Sequence, residues 1–176
     1  MSEPVKLVVM GVAGCGKSTL ALGLAEALAA LCLEGDDFHP PASVEKMRRG
    51  IALQDSDREP WLARIGAALR EHPGAVVASC SALRQHYRDL LRRSTPALKF
   101  VYLRITQSQA LERVRERSGH YMPPELVRSQ FDALEPPTDE DGVIAVEAEW
   151  PTPLQVRTVL AWLEAPDAIP PPHTHR

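Results

Sequence analysis

The chain offers no basic field, since 20 lysines and arginines stand against 23 aspartates and glutamates, for a formal net charge of -3. That balance gives no hold on a polyanionic nucleic acid. No apolar run is long enough to cross a bilayer. The first strand-like segment begins so early that no signal peptide is expected. Only three cysteines occur, Cys15, Cys32 and Cys80, and their spacing is not that of a metal site. The expectation is reduced thiols in a cytoplasmic protein. Only Cys15, at a predicted helix start, has a physical reason to be acidified. Internal repeats and a second domain are also missing. The 176 residues, 44% hydrophobic and 24% charged, suit one soluble globular domain, expected over residues 1–164. Residues 165–176, rich in proline and carrying His173 and His175, read as a mobile tail.

What is present begins with Gly11-Val12-Ala13-Gly14-Cys15-Gly16-Lys17-Ser18, followed by Thr19. This is a complete phosphate-binding loop, and it lies between an apolar strand (5–10) and a helical pattern (19–30). Its glycines let the backbone curl so that N–H groups point inward at phosphate oxygens. The following helix adds its N-terminal partial charge. Lys17 can reach the β- and γ-phosphates of ATP, and the Ser18 hydroxyl can ligate Mg²⁺.

Further apolar runs at 31–35, 75–79, 98–103 and 142–146 alternate with helical patterns at 43–49, 61–72, 82–93, 107–117, 123–134 and 153–163. Ser81 and Thr106 are candidate N-caps. The alternation predicts an α/β fold, a five-stranded parallel sheet with helices on both faces. Ligands then bind at the carboxyl ends of the strands.

Three phosphate-loop classes compete: a small-molecule kinase, a guanine-nucleotide switch and a non-catalytic ATP-binding module. The switch lacks its Asn-Lys-x-Asp segment, and Asp139-Glu140-Asp141-Gly142 falls too late in the chain to sense a γ-phosphate. The kinase gains from clusters at strand ends. Asp36, Asp37 and His39 follow the second strand, where a carboxylate can accept or orient an acceptor's proton. Arg58 sits among acids beside Trp61, where Asp57 reads as a helix cap. Arg84 and Arg88 stand four apart after the third strand, flanking Tyr87, and suit an anionic substrate. Arg113 and Arg117 precede a break at Gly119 and a proline-started helix. That pattern suits a lid, about 113–134, closing cations over the phosphates.

The loop together with Gly35-Asp36-Asp37-Phe38-His39-Pro40, Asp55-Ser56-Asp57-Arg58-Glu59-Pro60-Trp61-Leu62, Cys80-Ser81-Ala82-Leu83, Tyr87-Arg88-Asp89-Leu90, Gly119-His120 and Ser129-Gln130-Phe131 resembles the gluconokinases. The likeness runs from about residue 5 to 163. It implies a P-loop kinase fold similar to nucleoside monophosphate kinases and shikimate kinase. It also implies ATP-dependent phosphorylation of D-gluconate at its 6-hydroxyl, with Mg²⁺ and a possible homodimer. Lys17, Asp36 and Arg113 or Arg117 would be catalytic. Asp36, His39, Arg58, Arg84, Tyr87, Arg88, His120 and Gln130 would meet the sugar acid, with Arg84 or Arg88 ahead of Arg58 for its carboxylate. The alternative acceptor is another hydroxy acid, such as shikimate. Against shikimate itself, no glycine triplet follows the third strand. Adenine is expected near residues 147–151.

Overall fold

The computed structural model describes residues 2–117 and 123–168. Five parallel strands form one sheet: β1 (Lys6–Met10), β2 (Leu31–Glu34), β3 (Val76–Ser79), β4 (Lys99–Arg104) and β5 (Val143–Glu147), in the order β2-β3-β1-β4-β5. Seven α-helices lie among the described residues: α1 (Lys17–Leu28), α2 (Pro41–Arg48), α3 (Asp55–Glu71), α4 (Gln85–Ser94), α5 (Gln107–Glu116), α6 (Pro124–Ala133) and α7 (Thr152–Glu164). Strand alternation divides β1 between two cores. Leu7 and Val9 pack with Leu20 and Leu24 of α1 and with Val159 and Trp162 of α7. Val8 and Met10 pack with Trp61, Ile65 and Leu69 of α3 and Leu91 of α4. A strand apolar on both faces must be covered on both, which places β1 at the centre. Its carboxyl end therefore opens between β3 and β4, where the phosphate loop begins.

Two helix starts differ from expectation. The helix α3 begins six residues before the predicted position, and Pro60 lies inside it. Proline costs a helical hydrogen bond, but this N-terminus is held by other means. Asp57 accepts from the Gln54 N–H at 2.9 Å and takes both carboxylate oxygens to Lys46 Nζ at 2.9 Å. Gln54, not Asp57, is the N-cap; Asp57 is the third helical residue and closes a capping box with Gln54. The helix α4 begins at Gln85, three residues late, because Ala82 is left-handed with φ 43°. Ser81 is not its cap; the Ser81 carbonyl accepts the Gly11 N–H at 3.3 Å, tying the exit of β3 to the phosphate loop. Thr106 caps α5 as expected, accepting from the Gln109 N–H at 3.2 Å. Past α7 the chain makes a single turn at Pro166–Ala168; the rest of the predicted tail lies outside the described residues.

Candidate active site

The loop between β1 and α1 has the conformation its glycines imply. Gly16, the residue before α1, has φ 94°, which side-chain-bearing residues rarely adopt. Among the described residues, the N–H groups of Gly14, Gly16, Lys17 and Ser18 have no protein acceptor, and α1 points its N-terminus at them. That is an anion cradle. Lys17 Nζ rests on the Val12 carbonyl at 3.0 Å. The Cys15 thiol is turned under the loop, fully buried, and burial raises its pKa despite Lys17 nearby. It is neither acidified nor presented to phosphate.

Ser18 carries the metal expectation. Its hydroxyl donates to Glu34 Oε2 at 2.6 Å, and Glu34 Oε1 accepts from the Ser79 hydroxyl at 2.7 Å. Glu34, the last residue of β2, is a site residue that sequence reasoning missed. Among the described residues no group of three metal-ligating side chains exists. Mg²⁺ beside nucleotide phosphates needs only one or two protein oxygens, the rest being phosphate and water. The hard-oxygen pair of Ser18 and Glu34 fits that ion.

The acceptor side starts at Gly35, whose close fit explains the glycine: a Cβ there would lie 2.1 Å from the Ser79 carbonyl oxygen. Its own carbonyl accepts from Trp61 Nε1 at 2.7 Å. Thus pinned, the chain makes a short turn that leaves Asp36 in solvent, its side chain 83% exposed. His39 stacks on Trp61 with ring centroids 4.2 Å apart and 15° between planes. Burial, with Arg58 nearby, lowers the His39 pKa against the opposing pull of Asp36. Arg58 lies over the Tyr87 ring, 5.5 Å from its centroid. Burial pushes the Cys80 thiol up to about 12. Glu34, bonded to Ser18 and to Ser79, brings the phosphate side and the acceptor side together at the carboxyl ends of β2 and β3.

Several expected substrate contacts are placed otherwise. Arg88 does not share a helix face with Arg84, because Arg84 precedes the helix. Its guanidinium is wholly buried, bound to Glu140 at 2.5, 2.9 and 3.1 Å and to the Ala82 and Glu135 carbonyls at 2.8 Å. Arg88 holds the fold, with its guanidinium turned away from solvent and from any bound substrate. The Tyr87 hydroxyl donates to Asp55, and its pKa is pushed up to about 12 by burial and that bond. Gln130 meets the loop: its Oε1 accepts the Ala13 N–H at 2.6 Å. Arg113 also docks on backbone, at the Ala148 carbonyl (3.0 Å) and the Gly14 and Cys15 carbonyls (3.4 Å). It joins the loop after β5, the expected adenine side, to the phosphate loop, although β5 is the sheet edge. Gly14, Gly16, Arg113, Glu116 and the exposed Arg117 line a cavity of about 300 Å³. Arg84, the residue before α4, is exposed. His120 lies outside the described residues.

A phosphate cradle facing a strand-end carboxylate and cations, on this sheet order, defines a small phosphate-loop kinase. The AAA domain family model matches residues 7–137. The gluconokinase of Gluconobacter oxydans is 45% identical over 150 residues, 84% of this chain and 84% of that protein. The crystal structure of a gluconokinase from Sinorhizobium meliloti superimposes with a TM-score of 0.85 at 45% identity, covering 93% of this chain and 94% of that one. Shikimate kinase from Aquifex aeolicus, 17% identical with 92% and 98% of the two chains covered, shares the fold at a TM-score of 0.56. The chain belongs to the gluconokinase family.

Proposed function

We propose that the protein transfers the γ-phosphoryl group of ATP to the 6-hydroxyl of D-gluconate, giving 6-phospho-D-gluconate. The observation that carries this reading is the hydrogen-bond chain from Ser18 through Glu34 to Ser79, which joins the phosphate loop to the strand end that Gly35 and Asp36 leave. Family membership names the acceptor. Asp36 takes or orients the hydroxyl proton, and Lys17 neutralises charge on the phosphoryl group in flight. Arg113 and Arg117 flank the phosphates, with α5 and α6 serving as the lid. Ser18 and Glu34 would hold Mg²⁺, which when bound neutralises phosphate charge. No described helix is long and apolar enough to cross a membrane.

ADP release measured with gluconate, shikimate, adenosine monophosphate or no acceptor tests the reading. Turnover is expected with gluconate alone among the four; release confined to shikimate or adenosine monophosphate would overturn it. With Arg88 buried, Arg84 and Arg58 remain as cations for the carboxylate. Loss of one charged hydrogen bond should raise the gluconate KM of Arg84→Ala about 10- to 100-fold, with the ATP KM little changed. Equal rises in both would move Arg84 to the nucleotide side.

A further inference from the structure

His39 follows the short turn that carries Asp36. Its side chain is only 4% exposed, and its Nδ1 is buried without a hydrogen-bond partner among the described residues. A buried nitrogen of this kind is uncommon and calls for an explanation. The other ring nitrogen, Nε2, faces Asp36 Oδ1 at 3.8 Å. Asp36 when ionised can only accept, so the single proton of a neutral imidazole belongs on Nε2, and Nδ1 keeps its lone pair. A second proton would bury an N–H with no acceptor, which holds the ring neutral. The stack on Trp61 fixes the ring plane, and Trp61 is itself anchored to the Gly35 carbonyl. Ring, indole and backbone thus form a rigid frame behind an exposed carboxylate.

We propose that His39 is a positioning residue, its Nε2–H holding Asp36 Oδ1 so that Oδ2 is presented to the acceptor hydroxyl. The proposal rests on the reading of Asp36 given above. It reverses the common arrangement in which a carboxylate orients an imidazole base. The 3.8 Å gap is longer than a hydrogen bond. A small rotation of the exposed Asp36 side chain closes it when the acceptor enters, as catalytic bonds often tighten only in the complex.

The test separates the N–H from the ring. His39→Phe keeps the stack on Trp61 and removes the donor; His39→Gln keeps an amide N–H near the Nε2 position and removes the ring. Removing a group that orients a reacting residue typically costs about 10- to 100-fold. His39→Phe should lose that much kcat, with the ATP KM unchanged and the melting temperature held. His39→Gln should recover several-fold over His39→Phe despite its poorer packing. Combined with Asp36→Asn, His39→Phe should cost nothing further, because His39 acts through Asp36. Wild-type kcat in His39→Phe, or full additivity in the double variant, would overturn the proposal while leaving Asp36 as the reacting carboxylate. Near-normal turnover in Asp36→Asn would overturn both readings.

Discussion

Replacing Arg88 by methionine is expected to destabilise the protein by about 3–5 kcal/mol, the usual cost of removing one partner from a buried ion pair. Against a total stability of roughly 5–15 kcal/mol that is a large fraction. For a chain of this length it corresponds to a fall in melting temperature of roughly 6–20 °C. Glu140 would remain, its side chain 10% exposed, with Arg92 as its one cation among the described residues, at 2.8 Å. The Ala82 and Glu135 carbonyls would each lose a donor as well. Arg88→Met combined with Glu140→Leu should recover part of the loss, since no stranded charge is left, but not the part belonging to the two carbonyls. Burial alone would raise the Glu140 pKa; the hydrogen bonds from Arg88 and Arg92 outweigh it and leave the pKa below its usual 4.5. The folded-state value being depressed, this contribution is complete above about pH 4.5 and is lost as pH falls through that lowered value. Thermal melts of wild type and variant should therefore converge in acid. A variant melting within two degrees of wild type at neutral pH, with a raised gluconate KM, would return Arg88 to the substrate side.

Arg88 also shows where sequence reasoning stops. Residues four apart share a face only if both are helical, and spacing does not say which face meets the core. The left-handed Ala82 delays the helix until Gln85, so Arg84 falls outside it and Arg88 turns inward. The phosphate loop was legible because its chemistry is local: eight consecutive residues carry the turn, the lysine and the hydroxyl. The five parallel strands were legible for a similar reason, since apolar runs separated by helical patterns admit few arrangements. Glu34 was missed because its partners, Ser18 and Ser79, are 16 and 45 residues away and meet it only through the strand order. Gln130 was singled out, but its partner Ala13 is 117 residues distant and belongs to the nucleotide side. Asp57 reads as the N-cap of a helix starting near residue 59 but is the third residue of a helix starting at Asp55, where it closes a capping box with Gln54. The start of α3 at Asp55 is set by the Gln54–Asp57 capping box, with Pro60 accommodated inside the helix.

Asp36→Asn is expected to keep ATP binding and to lose turnover by about 10²- to 10⁴-fold, the range that a positioned acid–base group contributes. Asparagine keeps the size of the side chain and its carbonyl oxygen, so His39 still has an acceptor. Its amide nitrogen has no lone pair available for the hydroxyl proton and would present donors to it instead. The ATP KM should hold, because the phosphate cradle of Gly14 to Ser18 is built from a different loop. The gluconate KM should change far less than kcat, as expected when an interaction is made chiefly in the transition state. Asp37, adjacent and exposed in the same short turn, is the internal control. Its charge contributes the same long-range field at the cleft, but it does not face His39. Asp37→Asn should therefore turn over within about twofold of wild type, since exposed charges at that range are largely screened. Single-turnover phosphoryl transfer separates the chemical step from product release for both variants. An inactive Asp37→Asn beside an active Asp36→Asn would move the reacting carboxylate by one residue and detach it from the His39–Trp61 frame.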